Sequence, residues 1–296
     1  MLYLRSNITS LWGAVKMKNL GYYNGKFDEI ENMSIPMQDR VCFFGDGIYD
    51  ATYSRNYKIF SIDEHIDRFY NSARLLEINI PYTKAEFKAL LNDMVSKMDR
   101  GNNFVYFQAT RGSDGVRNHA FASDIKANVW INIYPKEILD IYKKVSLITM
   151  EDTRFLHCNI KTLNLIPSVI ASQRAKEAGC FESVFHRNGR VTECAHSNVH
   201  IFKDGRLITA PTDNLILPGI ARKHIIKACK QLGIEVAERP YSLDELFAAD
   251  EVVVSSAGAL CLSAESIDGK QVGGKAPQLL KRLQDTLLDD FLRETE

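Results

Sequence analysis

The sequence predicts an α+β fold of two domains, residues 1–136 and 141–296. Three observations predict this division. Helical and strand-like segments alternate irregularly, the tight-turn sequences RNGR and KDGR join neighbouring strand-like runs, and PKEILDIYKK interrupts the strand pattern before a new run begins at VSLITMED. Such turns favour antiparallel hairpins over a doubly wound parallel sheet.

The N-terminal half begins with a hairpin and continues with two helices and two strands. IYDATYSRNYKIF is rich in β-favouring residues around an RN turn. Ser61 stands three residues before Glu64 and Thr83 three before Glu86, which predicts a capping box at the start of each helix. The first helix ends before Pro81 and the second at Gly101, and NFVYFQATRG and ANVWINIYP then read as strands.

The C-terminal half combines short strands with four helices. The strands are VSLITMED, SVFHRNGR, VTECAHSNVHIF, RLITA and EVVVSS. Helices are predicted at Pro167 to Ala178, Ile220 to Leu232, Leu243 to Ala248 and at the end of the chain. The closing helix carries Leu280, Leu283, Leu287 and Phe291 on one stripe.

Composition argues against several classes of protein. The 296 residues are 45% hydrophobic and 25% charged, as in globular proteins, and Lys+Arg and Asp+Glu both number 37, so no net charge favours nucleic acid or an anionic membrane. No segment offers the roughly 20 apolar residues of a membrane span. The six cysteines form no C-x-x-C pair and are typical of reduced thiols, so the expected location is the cytoplasm. Neither a G-x-G-x-x-G nor a Walker loop follows a strand.

Lys161 stands alone in NIKTLNLIPS, with no acidic residue nearer than Asp152 or Glu177. Partial burial would lower the pKa of its amine and make it a nucleophile or a Schiff-base former. A solvated loop lysine is the ordinary alternative, and position alone does not decide between them.

Glu193 lies in the strand-like run VTECAHSNVHIF. If this run is one strand, alternation places Glu193 on one face, and Asn198 and His200 on the other. A buried carboxylate needs a cationic partner, whereas a surface glutamate does not. A metal site at His196 and His200 is not favoured, because strand geometry separates them by roughly 13 Å.

Three further segments could bind anions, although each also has an ordinary solvated interpretation. Pro218 and Gly219 precede a helix whose first-turn N–H groups could hold a phosphate. Arg68 lies beside the apolar stripe of its own helix. The loop TRGSDGVRNHAF brings Arg117 and His119 close together after a strand, where they could converge on a carboxylate.

Taken together, these segments resemble the fold-type IV class of pyridoxal-phosphate enzymes, and within it the D-amino-acid aminotransferases. The resemblance covers about residues 20 to 292 and rests on segments in the family's order and at close to its spacing. These are FGDGIYD, IDEHIDRFYNSA, IPYTK, YFQATRG, IKTLNL, GC with HRNGRVTE, SNV, LPGIAR and IDGK.

The resemblance implies pyridoxal 5′-phosphate as the cofactor and gives roles to specific residues. Lys161 would hold the cofactor covalently and transfer the proton, and Glu193 would pair with the pyridine nitrogen. The remaining cofactor-binding residues would be Arg68, Leu217, Ile220, Ala221, Ser256 and Ala257.

The substrate would be bound by a carboxylate trap of Tyr49, Arg117 and His119, with Tyr106 nearby. The resemblance also implies a homodimer in which the partner contributes the trap loop. The expected reaction is ping-pong transfer of an amino group from a D-amino acid such as D-alanine to a 2-oxo acid such as 2-oxoglutarate.

Differences from the family pattern keep other interpretations open. Ala221 and Ala257 stand where D-alanine enzymes usually carry hydroxyl residues that donate to the phosphate. Either the affinity for phosphate is lower here, or Ser255 and Ser256 take over part of this role. Ala195 and His196 replace small hydroxyl residues. The alternatives are a branched-chain L-aminotransferase, an aminodeoxychorismate lyase of the same fold, and a non-catalytic protein that kept the fold.

Overall fold

The computed structural model describes residues 17–296, so the first part of the predicted N-terminal domain lies outside the described residues. Two β-sheets, each with helices packed against it, form the architecture, and the predicted α+β class is confirmed. One sheet uses strands up to Pro135 and the other strands from Lys144 onward. The division into domains 1–136 and 141–296 stays a prediction.

The first sheet has six strands in the order β2-β1-β6-β5-β3-β4. Its strands are β1 (Leu20–Tyr23), β2 (Lys26–Asp28), β3 (Gly47–Arg55), β4 (Lys58–Ile59), β5 (Asn103–Thr110) and β6 (Asn128–Pro135). All neighbouring pairs are antiparallel, and β3 pairs with β5 along their lengths from Gly47–Thr110 to Ser54–Asn103. The side chains of Tyr49, Ala51 and Tyr53 therefore lie on one face of β3.

Three helices belong to this half of the chain: α1 (Arg40–Phe44), α2 (Ile62–Leu75) and α3 (Lys84–Ser96). An aromatic cluster joins α2 and α3 to the sheet, with the ring centroid of Phe69 5.4 Å from Phe87 and 5.0 Å from Phe107. All three rings are buried. This packing fixes α2 on β3, and α2 carries Arg68.

The second sheet is mixed and has nine strands, in the order β12-β11-β10-β13-β14-β7-β8-β9 with β15 beside β14. Its strands are β7 (Lys144–Glu151), β8 (Glu182–Arg187), β9 (Arg190–Cys194), β10 (Asn198–Lys203), β11 (Arg206–Thr209), β12 (Val236–Glu238), β13 (Glu251–Ser255), β14 (Leu262–Ile267) and β15 (Lys270–Gln271). Parallel pairs form at β14 with β7, β7 with β8 and β11 with β12.

The predicted RNGR and KDGR turns form antiparallel hairpins. Asn188, Gly189, Asp204 and Gly205 all have positive φ, the conformation that two-residue hairpin turns require. The helices of this half are α4 (Ile166–Glu177), α5 (Ile220–Gln231), α6 (Leu243–Ala248) and α7 (Pro277–Glu294). These bounds agree with the predicted helices to within a residue where both ends were predicted.

Two local predictions were wrong, and the predicted end of α3 was also wrong. Ser61 adopts φ +49° and its side chain does not cap α2, while Glu64 pairs instead with Lys223 and His224 on α5. Glu64 therefore forms long-range ion pairs with α5 instead of the predicted capping box with Ser61. The run VTECAHSNVHIF is two strands rather than one, because the chain bends at residues 195–197 between β9 and β10. The box from Thr83 to Glu86 is confirmed, but α3 ends at Ser96 rather than at Gly101.

We expect Phe291→Ala to lower the free energy of unfolding by about 3–5 kcal/mol, because the buried ring would leave a cavity. Its centroid lies 4.9 Å from that of Phe60, which precedes α2, so α7 ties the two halves together. Denaturant titration measures the loss. Leu292→Ala removes a neighbouring side chain that is 38% exposed and serves as the control. Equal losses in both variants would contradict this packing.

Candidate active site

A cavity of about 520 Å³ lies where the two sheets meet. This volume falls within the range of small-molecule sites. Nine of the twelve residues predicted to bind the cofactor or the substrate line it: Tyr49, Arg68, Lys161, Glu193, Leu217, Ile220, Ala221, Ser256 and Ala257. Residues far apart in the chain therefore meet in one place.

Lys161 is held at the cavity by its main chain. Its carbonyl accepts a hydrogen bond from the N–H of Tyr49 at 3.0 Å, and its own N–H donates to Ser72 Oγ at 3.2 Å. Its half-buried ammonium lies 4.3 Å from the centroid of the Tyr49 ring and forms no ion pair with residues 17–296. The amine is thus at the cavity wall without a carboxylate that would neutralise it.

Glu193 is a buried carboxylate with three donors. Arg154 Nη1 donates to Oε1, while Asn198 Nδ2 and the N–H of Leu217 donate to Oε2 at 2.9 and 3.0 Å. Burial raises the pKa of Glu193 to about 7, and the Arg154 guanidinium and the Leu217 amide oppose this rise. The charge on this carboxylate therefore depends on the groups that face it.

The bend at residues 195–197 is what brings Asn198 to Glu193. Strict alternation along one strand placed these two residues on opposite faces, and that prediction was wrong. After the bend, the Asn198 amide bonds both Glu193 and, at 3.0 Å, the carbonyl of Leu217. With this bend, residues 193–198 form one wall of the cavity.

Sequence reasoning missed Arg154. Two hydrogen bonds of 2.9 Å link its guanidinium to Asp152, which is buried, and a third reaches Glu193. The segment EDTR, directly after a strand, was the available signal. The partner Glu193, however, lies 39 residues away and is reached only through the fold.

Arg68, which also lines the cavity, is fixed by Asp50. Nε and Nη2 of Arg68 donate to the two carboxylate oxygens of Asp50 at 2.8 and 2.7 Å, and His65 Nδ1 lies 2.8 Å from the same carboxylate. Burial opposes ionisation of Asp50, but Arg68 and His65 hold its pKa well below its usual value. Asp50 and His65 were not identified from the sequence, although both lie within the segments FGDGIYD and EHIDR.

The first turn of α5 adjoins this arginine. Arg68 Nη1 lies 3.4 Å from the carbonyl of Pro218, and no side chain caps the helix at Gly219. A Cβ on Gly219 would lie 1.9 Å from Asn198 Oδ1, so a larger residue there would displace the Asn198 side chain from its partners. Uncapped first-turn N–H groups beside a guanidinium form a site suited to a phosphate.

Two serine hydroxyls stand at the end of β13, and one of them has no partner within the described residues. Ser255 is buried and its Oγ lies 2.9 Å from Nε2 of His200, whose Nδ1 lies 2.8 Å from Thr209 Oγ1. Burial lowers the pKa of His200 to about 3, so this histidine is a neutral core residue. Among residues 17–296, Ser256 Oγ has no hydrogen-bond partner, which leaves it facing the cavity.

Three predicted substrate-binding residues do not line this cavity. Arg117 and His119 are exposed and lie against Phe44, with the guanidinium carbon and the imidazole centroid 5.1 and 5.0 Å from the ring centroid. Tyr106 stacks on Tyr49 at 5.6 Å, and its hydroxyl donates to Gln108.

The described residues contain no cluster of three His, Cys, Asp or Glu side chains that could bind a metal ion. None of the helices described there has the length and apolar character of a membrane span.

We expect Asp50→Asn to flatten the acid dependence of stability. Asp50 has a pKa depressed by folding, so its stabilisation is complete above its ordinary value of 3.8 and is lost as the pH falls below that value. The free energy of unfolding should therefore drop less steeply in the variant than in the wild type between about pH 4 and pH 2. The comparison uses denaturant titrations across this range.

Asp67→Asn is the control, since that carboxylate pairs with Lys84 on the surface. It should keep the wild-type slope. A wild-type slope in Asp50→Asn would contradict the network.

Comparison with known proteins places the chain in a family. The profile described as amino-transferase class IV matches residues 47–267. The chain is 37% identical over 275 residues to the D-alanine aminotransferase of Listeria monocytogenes serotype 4b (strain F2365), covering 91% of this chain and 95% of the relative. It is 36% identical over 276 residues to that of Bacillus licheniformis, covering 92% and 97%.

Solved structures share the fold. The branched-chain amino acid aminotransferase of Escherichia coli superposes with a TM-score of 0.86 at 24% identity, over 95% of this chain and 97% of that one. The T.th. branched-chain enzyme with pyridoxamine 5′-phosphate gives 0.85 at 23% identity, over 94% and 96%. The chain belongs to the class IV aminotransferases.

Proposed function

We propose that this aminotransferase uses pyridoxal 5′-phosphate to move an amino group from a D-amino acid, such as D-alanine, to a 2-oxo acid such as 2-oxoglutarate. The observation that carries the proposal is the cavity itself. Its lining includes the lysine Lys161, the buried carboxylate of Glu193 and Arg68, which lies beside the uncapped start of α5.

The residues present fit this cofactor. Arg68, the first-turn amides of Ile220 and Ala221 and the hydroxyl of Ser256 would hold the phosphate, with Ala257 packed beside them. Glu193 would accept a hydrogen bond from the protonated pyridine nitrogen and keep it protonated, and Leu217 would pack against the ring. When bound, the cofactor supplies an aldehyde that accepts the amino group and a ring that withdraws electrons from Cα.

Lys161 would hold the cofactor covalently and then carry the proton between Cα of the substrate and the cofactor. The Tyr49 ring at 4.3 Å and the two main-chain hydrogen bonds of Lys161 fix where this amine can reach. Arg154, Asn198 and the Leu217 amide keep Glu193 in place, and a cationic pyridine nitrogen would restore a lower pKa to this carboxylate.

Ala221 and Ala257 stand at the phosphate end without hydroxyl groups. Ser255 already bonds His200, so Ser256 is the side-chain hydroxyl available from the end of β13. We therefore propose that main-chain amides and Arg68 carry most of the phosphate binding. Asp50 neutralises Arg68 by accepting hydrogen bonds from its Nε and Nη2. The remaining nitrogen, Nη1, faces the start of α5.

We propose that Arg117, His119 and Tyr49 bind the substrate carboxylate and that the protein is a homodimer. Arg117 and His119 are exposed and lie outside the cavity of their own chain, so they would serve the cavity of the partner. Exposed apolar residues near the cavity, including Ile166 at 73% and Val169 at 57% on α4, would be covered in such a dimer. Tyr106 would support Tyr49 from behind.

We also propose that the reaction is ping-pong, with one 2-oxo acid leaving before the second enters, and that it takes place in the cytoplasm. The free cysteines, four of them buried, suit a reducing compartment.

The same-fold alternatives, a branched-chain L-aminotransferase and an aminodeoxychorismate lyase, have less support. The branched-chain structures are 23–24% identical, whereas the D-alanine enzymes are 36–37% identical.

Lys161→Ala should abolish transamination and the visible absorption change that follows addition of an amino donor, because no other amine would hold the cofactor. Wild-type protein loaded with pyridoxal phosphate should be yellow and bleach with D-alanine. Spectrophotometry with single-turnover addition of donor measures this. Lys144→Ala, at an exposed strand end, is the matched control and should bleach as the wild type does. Bleaching in Lys161→Ala would rule out its role.

Turnover with paired enantiomers decides the stereochemistry. We expect kcat/KM to be higher for D-alanine than for L-alanine, L-leucine or L-valine by about 100-fold or more, since a carboxylate fixed on one side presents only one Cα–H to Lys161. A coupled assay with 2-oxoglutarate, followed by chiral analysis of the glutamate formed, gives both values. Preference for the L-branched donors would replace this proposal with the branched-chain alternative.

Mixing two inactive variants tests the shared site. Lys161→Ala lacks the amine and Arg117→Ala lacks the trap, so a mixed dimer contains one cavity with both groups intact. Activity should return to about a quarter of the wild-type value after the variants are unfolded and refolded together, because random pairing makes half the dimers mixed. Continued inactivity of refolded mixtures, with each variant dimeric alone, would place the trap within one chain.

A further inference from the structure

The long loop 111–127 joins β5 to β6 and contains no helix or strand. It carries Arg117 and His119 near its middle. A long irregular loop can place two side chains reproducibly only where other residues fix its main chain. Three sets of contacts fix this one.

The two ends of the loop are tied to a single buried carboxylate. Asp39 Oδ2 accepts hydrogen bonds from Thr110 Oγ1 at 2.8 Å and from Asn128 Nδ2 at 2.7 Å. Gly112, with φ +98°, allows a close crossing, because a Cβ there would lie 1.9 Å from the carbonyl oxygen of Lys126. These contacts close the base of the loop and leave its middle to be held separately.

Arg40, at the start of α1, holds the middle. Its Nη1 donates to the carbonyl of Asn118 at 2.6 Å, and its Nη2 donates to the carbonyl of His119 at 2.9 Å. The residue is only 3% exposed. One rigid guanidinium thus bonds two consecutive carbonyls, that of Asn118, which lies between Arg117 and His119, and that of His119 itself.

Asp46 neutralises this arginine and connects it to a second one. Its Oδ2 accepts from Arg40 Nε at 2.8 Å and from Arg111 Nε at 2.9 Å. Arg111 lies 3.8 Å from the centroid of Phe121, further along the loop, and bonds the carbonyls of Leu76 and Glu77. The loop is therefore anchored to α1 and to the segment after α2 through one carboxylate.

We propose that Arg40 is a positioning residue for substrate recognition, which fixes the main chain at residues 118–119 and so sets where Arg117 and His119 present their charges. The nature of the ligand, a substrate carboxylate, rests on the proposed function. The clamp itself rests on the contacts alone. Arg40 touches no substrate and acts through the loop.

Hydrogen–deuterium exchange on the cofactor-loaded protein tests the clamp without reference to activity. Arg40→Met should raise the exchange of amides in residues 113–123, while the α2, α3 and β5 amides keep their wild-type protection. Arg282→Met, an exposed arginine on α7, is the control and should leave the loop unchanged. Unchanged loop exchange in a folded Arg40→Met protein would overturn the proposal.

Steady-state kinetics tests the consequence. In Arg40→Met, KM for D-alanine and the inhibition constant of propanoate, an unreactive carboxylate, should both rise roughly 10–100-fold, as expected when binding groups move by about 1 Å. The visible band of the bound cofactor should stay the same, and kcat should change less than KM. A fall in kcat with KM and propanoate inhibition unchanged would contradict the role.

Arg40→Lys keeps a positive charge for Asp46 but lacks the fork that bonds two carbonyls. It should give an intermediate rise in KM and in loop exchange, and it replaces Arg40→Met if that variant does not fold. Wild-type KM and wild-type loop exchange in Arg40→Lys would show that a guanidinium bonding both carbonyls is not required. Absence of transamination in the wild type would defeat the proposed function, while the exchange experiment would still decide the clamp.

Discussion

The arrangement depends on one buried carboxylate. Glu193 is 5% exposed, and burying an ionised carboxylate is costly unless donors surround it. Arg154, Asn198 and the Leu217 amide supply those donors, each from a different segment, and they therefore fix the bend after β9 and the entry to α5 relative to each other. The cavity has its shape because these segments converge on that side chain. A cofactor nitrogen placed there would meet a carboxylate already oriented.

Arg68, which also lines the cavity, is held by a second buried carboxylate. Asp50 is fully buried and orients Arg68, so the guanidinium approaches α5 without needing a ligand to hold it. The donors near Glu193 and near Arg68 differ. Glu193 has two side-chain donors and one main-chain donor, whereas the first turn of α5 beside Arg68 offers main-chain amides that no side chain caps. Under the proposed function, phosphate binding by these amides and by Arg68 would need no hydroxyl group at Ala221 or Ala257.

Much of the fold followed from the sequence because local signals were strong. The turns at Asn188–Gly189 and Asp204–Gly205, the cap at Thr83 and the apolar stripe of α7 are each decided by neighbouring residues. The cavity-lining side chains were found because several short segments occurred in a recognisable order. Ser61 and the bend at residues 195–197 were missed because their conformations depend on distant partners. Arg154, Asp50 and Arg40 were missed for the same reason.

The central claim is that the amine of Lys161 holds the cofactor in the cavity that Glu193 and Arg68 define. The most direct measurement is reduction of the yellow protein with borohydride, followed by proteolysis and mass spectrometry of the peptides. The account predicts one phosphopyridoxyl adduct, on Lys161, formed in near-stoichiometric amount. An adduct on another lysine, or none on a protein that transaminates, would contradict it.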